Sequence, residues 1–455
     1  MTASLTSDLR LAWRLTRGSD RREGWRIALT ATGAALATGF ALAAGALASL
    51  RGDHVSVSLA EGLLSRPGTR AGVILALLLL LVPVLGFLGQ CARIGAVHRD
   101  RRLAGLRLAG ATPGQVRRIA ALETGLACLL GSAVATAASV PVLLGTWERP
   151  AVLTWVVLAL VAVSVPALGA ATGALALRRV VASPLGWVRR VGPARSGRGP
   201  GRLFLVSLLL VAGLALLAAN TTSAGPRGPM QLRTPMTVFA ALLGVGAGAV
   251  WLSGAVCRLV GRTLAGRARS AATLIAAERL RDDPWAAART HAAVLLVTVM
   301  GTGFVGVRQA FLDTLYEDRQ LGESITYYTT GLDLTAAAIA VGLVITLSAL
   351  AVGTAESLST RRRGLAAQAA AGVQRAVLHR ALILETALPL APSLLVAGAG
   401  GAAVGAGYSA VTASGSLPWA ALLVPLTVYA ACLLSAATAL PLLRRTLRPS
   451  ELRHA

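Results

Sequence analysis

Ten long apolar segments recur along this 455-residue chain, at about 27–50, 71–90, 119–144, 151–177, 203–219, 236–257, 291–307, 333–353, 381–408 and 418–443. One crossing of a bilayer takes about 20 apolar residues. A chain that meets this length ten times is expected to fold as an all-α, polytopic membrane protein. Composition agrees: 55% of residues are hydrophobic and 14% charged, against roughly 25% charged in soluble domains.

All 44 basic residues are arginine, and 19 residues are acidic. A lysine-free, Ala/Arg/Gly-rich sequence is what a GC-rich bacterial genome produces, which points to a bacterial plasma membrane. Without lysine the chain has neither the P-loop lysine that contacts nucleotide phosphates nor a Schiff-base amine. Any ATP and Mg it depends on are expected in another chain, with no cofactor, metal or catalytic residue in this one. The four cysteines lie in or beside apolar runs without metal or disulfide spacing, and read as small buried hydrophobes.

Charge distribution sets the expected topology. With the N-terminus inside, 36 arginines fall in inner segments and 8 in outer loops, so both termini are expected in the cytoplasm. The net charge of +25 is then a topology and lipid-surface signal, and no nucleic-acid partner is needed. Six arginines before Ile27 and the lack of a convincing cleavage site argue against a signal peptide.

The chain also repeats itself. Residues 99–124 read RDRRLAGLRLAGATPGQVRRIAALET, and residues 361–386 read RRRGLAAQAAAGVQRAVLHRALILET. A shift of 262 superposes Arg99 on Arg361, Leu103 on Leu365, Gly110 on Gly372, and Leu122-Glu123-Thr124 on Leu384-Glu385-Thr386. Flanking matches extend this to two four-span repeats joined by a two-span linker, with domains at 1–182, 183–270 and 271–455. Four spans is an even number, so the repeats are expected to be parallel, unlike inverted-repeat transporters.

Within the first repeat, Arg99–Ala109 is expected to form a basic helix ended by Gly110 at C′. Thr112 and Pro113 then start a new helix as N-cap and N1. The product is a rigid elbow leading into a span. Glu123 and Glu385 lie about one turn inside their spans, where an ion pair fixing the elbow is the leading expectation. The segments around Arg14-Leu15 and Arg279-Leu280 read as amphipathic helices lying on lipid.

The pattern Arg101-Arg102-Leu103-x-x-Leu106-Arg107-x-x-Gly110-Ala111-Thr112-Pro113-x-Gln115-Val116, followed by Glu123, resembles the FtsX-like (MacB-type) permease family of ABC transporters. The second copy has Arg361, Arg363, Leu365, Gln368, Gly372, Gln374 and Glu385, and lacks the Thr-Pro pair. The resemblance implies that these two residue sets are coupling sites for two separate ATP-binding cassette ATPase subunits. It implies a permease that exports or extracts a hydrophobic or amphiphilic substrate, such as an antimicrobial peptide, antibiotic or lipid. Its alternative is a mechanotransmitting or signalling subunit controlling an extracytoplasmic partner. The large extracytoplasmic domain of well-known members has no room here, since the corresponding loops are expected at only about 51–70 and 308–332.

Overall fold

The computed structural model describes residues 21–50, 64, 67–91, 105–146, 150–176, 209, 228–282, 284–317, 324–412 and 419–441. The described secondary structure is helical throughout. The main helices are α1 (Arg21–Ser49), α2 (Pro67–Cys91), α3 (Pro113–Thr146), α4 (Val152–Ala176), α5 (Gly228–Ala265), α6 (Ala271–Asp282), α7 (Pro284–Glu317), α8 (Ile325–Thr360), α9 (Arg362–Ala370), α10 (Arg375–Thr412) and α11 (Leu423–Ala437). A 3₁₀ turn, Trp419–Leu422, precedes α11.

Among the described residues, nine helices are long and apolar enough to cross a membrane, which is compatible with a multi-pass membrane protein. They coincide with nine of the ten expected segments. The remaining segment, 203–219, lies outside the described residues except for Leu209. Several helices overrun their apolar stretch. At 1.5 Å per residue, the 34 residues of α3 make a rod of about 51 Å, against about 30 Å of hydrocarbon.

The chain divides into two compact units, residues 1–51 with 87–195, and residues 52–86 with 196–455. In the first unit α1, α3 and α4 pack on one another. Gly131 sits where a Cβ would collide with the Ala31 carbonyl, so α1 and α3 approach at backbone distance, as small residues permit between membrane helices. Polar groups link the same helices: Ser49 Oγ lies 2.6 Å from Thr154 Oγ1, and Ser132 Oγ donates to Ala162 O at 3.0 Å. Val152, Val156, Leu160 and Val163 form an exposed stripe on α4, the surface a lipid-facing helix presents.

In the second unit α7 is central and packs against α5, α8, α10 and α11. Its Val294, Leu295 and Val299 are buried with Val250, Leu350, Leu390, Leu394 and Val428. Helix α10 comes close enough that a Cβ on Gly401 would stand 2.6 Å from the Val299 carbonyl oxygen.

Two expectations are corrected here. Segment 308–332 is not an open loop: it is helical over 308–317 and 325–332. Ser324 caps α8, its Oγ accepting from the Tyr327 amide, and Phe311 meets Tyr328 edge-on at 5.8 Å. The aromatic contact and the cap extend both helices beyond their apolar stretches. Likewise α6, which carries Arg279-Leu280, does not rest on lipid alone. Its Ala272, Ala276, Ala277 and Leu280 are buried, and it packs on α5 and α10. The Arg14-Leu15 segment lies outside the described residues.

Candidate functional site: two elbows and their carboxylates

The first elbow runs from residue 105 into α3. A helical turn at 105–108 ends with Ala109 N donating to Gly105 O at 2.9 Å and Gly110 N to Arg107 O at 3.1 Å. Ala111 N then reaches back to Leu106 O at 2.9 Å. This closure needs a left-handed residue, and Gly110 has φ of 97°. It is the Schellman form of helix ending, in which glycine avoids a Cβ clash.

Helix α3 starts at once. Thr112 Oγ1 accepts from Gln115 N at 3.3 Å, and Gln115 Oε1 accepts from Thr112 N at 2.8 Å. This reciprocal capping box satisfies two amide donors, with Pro113 at N1 as expected. Leu106 and Ala111 pack against Val116, Ile119 and Ala120, which locks the turn against the helix it precedes. Arg107 is held in the corner, its Nη1 donating to Ala111 O at 3.0 Å.

The second elbow has the same backbone. Gly372 N donates to Ala369 O at 3.1 Å, Val373 N to Gln368 O at 3.1 Å, and Gly372 has φ of 90°. Helix α10 starts at Arg375, 262 residues after the Pro113 that starts α3. Its cap is weaker for a readable reason. Gln374 stands where Thr112 does, but Val377 replaces Gln115 and has no side-chain acceptor to return the bond. Packing compensates, with Leu358, Leu365, Leu378 and Ala439 forming a buried cluster.

Each carboxylate meets arginine from another helix. Arg26 Nη2 on α1 donates to Glu123 Oε1 on α3 at 2.6 Å, with the side chains 3% and 2% exposed. In the second unit Glu385 is bridged twice. Arg279 Nη1 on α6 donates to Oε2 at 2.7 Å, and Arg361 Nη1 at the α8–α9 junction donates to Oε1 at 2.5 Å. Glu385 is 23% exposed. The expected ion pairs are therefore present. The first joins α1 to α3; the second ties the foot of α10 to α6 and to the start of the second elbow.

The expected site residues divide clearly. Gly110, Thr112 and Pro113 are exposed, Ala111 and Gln115 half-buried, and Leu106 and Arg107 turned to local packing and hydrogen bonding. Arg101, Arg102 and Leu103 lie outside the described residues. In the second set Gly372 and Gln374 are exposed, and Leu365 is buried at 1% exposure. Arg363 lies on α9, its side chain outside the described residues. Gln368 is half-buried, and its Oε1 has no hydrogen-bond partner among the described residues.

Sequence reasoning missed three features. Leu108 stands 72% exposed on the first elbow; its counterpart at the same shift is Ala370. In the sequence Arg26 counts only as a topology charge, although it is the last arginine before the first apolar run. The third is a cavity of about 490 Å³ in the second unit, lined by α2, α5, α7, α8 and α10. Its walls include Leu75, Leu79, Phe239, Met300, Phe304 and Ile339. Its size is that of ordinary ligand pockets, roughly 300–1,000 Å³, and its lining is almost wholly apolar.

Among the described residues no three His, Cys, Asp or Glu side chains gather as a metal site would require. The chain matches no family model, no curated protein and no solved structure.

Proposed function

We propose that this chain is the permease subunit of an FtsX-like ABC transporter. In this reading it has ten spans, arranged as two parallel four-span repeats joined by a two-span linker, with both termini on the cytoplasmic side of a bacterial plasma membrane. Two ATP-binding cassette subunits dock on the elbows at 105–112 and 361–374. Their movement on hydrolysis is passed to α3 and α10.

The observation that carries the reading is the paired elbow. Two segments 262 residues apart share one left-handed glycine ending, one helix start and one ion-paired carboxylate. Orientation by charge alone requires arginines; it does not require the same backbone device twice. A short helix locked by packing onto a span of about 50 Å is a lever: force on the exposed corner reaches the far end of the rod. Part of the packing corresponds as well: α1 packs on α3 and α4 as α7 packs on α10 and α11, whereas α8 packs on α7 and α11 and its counterpart α2 lies mostly in the second compact unit rather than with α1 in the first.

The apolar cavity favours transport over signalling. A site with almost no polar lining selects a hydrophobic or amphiphilic cargo drawn from the membrane. The decisive experiment is mild-detergent purification of the full chain from native membranes, with native mass determination. The expected result is one permease with two copies of an ATPase subunit. Recovery without any ATPase, from membranes in which the candidate subunit is present, would overturn the proposal.

A further inference from the structure

A second cavity in the same unit, about 210 Å³, opens among α6, α7, α8, α10 and the end of α11. One part is polar and charged: Arg279, Arg361, His291, Ser357, Thr386 and Glu385. The other wall is apolar and includes Leu350, Leu382 and Leu440. Among the described lining residues the polar part carries more positive than negative charge. Glu385 gives one oxygen to each guanidinium, so two cations share one anion even with His291 neutral. Each guanidinium has five N–H donors, and each uses one nitrogen, Nη1, on Glu385. Arg279 is only 22% exposed. Arg361 is more open, at 43%.

We propose that this cavity binds the phosphate of an anionic phospholipid, with the acyl chains continuing along the apolar wall. Three observations converge. The excess positive charge calls for an anion. Paired guanidiniums suit phosphate oxygens, which accept several charge-assisted bonds at once. The apolar wall beside the charges suits an anion with a hydrocarbon tail, and a basic pocket between spans is where lipid headgroups are held. The volume is below the roughly 300–1,000 Å³ of pockets that enclose a whole drug-sized ligand, which fits a headgroup whose tails remain outside. Because Arg361 sits at the α8–α9 junction, a bound headgroup would brace the base of the second elbow. The proposal rests on the multi-pass membrane reading and is independent of ATPase coupling.

The test is native mass spectrometry of the detergent-purified full chain during titration with phosphatidylglycerol, with phosphatidylcholine and inorganic phosphate as separate arms. Saturable binding of one phosphatidylglycerol, above the phosphatidylcholine background, is expected. Arg361→Gln leaves Arg279 on Glu385 and should weaken binding about tenfold, the scale of one charge-assisted hydrogen bond. Arg308→Gln, at the opposite end of α7, should leave it unchanged. If Arg361→Gln fails to fold, Gly353→Leu narrows the same cavity without altering a charge and should weaken binding as well. Displacement of the lipid by millimolar phosphate would support the phosphate chemistry and assign a soluble source. Equal binding of both lipids, or no loss in either cavity variant, would overturn the proposal.

Discussion

Arg26 and Glu123, 97 residues apart, form a buried ion pair at 2.6 Å between α1 and α3. A charge at this depth is costly unless it is compensated, so the pair specifies which helices meet and at what height. Arg26→Met is expected to destabilise the first unit by about 3 kcal/mol, as removal of one partner of a buried pair does. Arg26→Met with Glu123→Leu should restore most of that loss. Thermal unfolding in detergent checks this, and a double variant no more stable than the single one would contradict it.

The second carboxylate should behave differently. Glu385 and Arg279 are about one-fifth exposed, and Arg361 is more open. Solvent screening reduces what such a pair contributes. Glu385→Gln should therefore cost about 1 kcal/mol or less, well under the effect of Arg26→Met. Parallel melting curves read the difference directly.

Gly110 and Gly372 carry the same burden at each elbow. Neither has an atom within 4 Å of an added Cβ, so a substitution there meets backbone strain rather than a clash. Gly110→Ala and Gly372→Ala should each cost about 1–2 kcal/mol, the penalty for a left-handed L-residue. Hydrogen exchange should show faster opening at the Ala111 and Val373 amides, which close the two turns. Unchanged exchange would mean that the turns are held by packing alone.

The elbows should couple unequally. The first has a capping box and the exposed Leu108; the second has neither. Thr112→Ala should cost about 1 kcal/mol of helix stability, the usual loss of an N-cap, while Gln374→Ala should cost little. Leu108→Asp should reduce co-purification of an ATPase subunit more than Ala370→Asp. Equal losses at the two elbows would contradict the asymmetry.

Filling the apolar cavity should affect cargo and spare coupling. Ala338 lines it from α8. Ala338→Trp would occupy part of the cavity, so a fluorescent amphiphile should bind about tenfold more weakly, a change of about 1.4 kcal/mol. ATPase co-purification should remain unchanged.

Much of the framework is legible in the sequence. Apolar run length marked nine helices, because a bilayer-length segment is a one-dimensional property. The Gly110 ending and the Thr112-Pro113 start were legible for a similar reason: caps are local, and their chemistry lies within five residues. Helix overrun was not legible at Phe311–Glu317 or Ile325–Gly331, where aromatic packing and the Ser324 cap hold polar sequence in helix.

By itself, then, the sequence determined the placement of the nine described apolar helices, the two elbows and the asymmetry of their caps. These follow from composition and from hydrogen bonds between near neighbours. Only the tertiary structure decided which arginine meets which carboxylate, that α6 packs on α5 and α10, and that two cavities open in the second unit, one almost wholly apolar and one with a charged side. Arg26–Glu123 spans 97 residues and Arg279–Glu385 spans 106. No local pattern encodes such distances, because they are set by the packing of whole helices against one another.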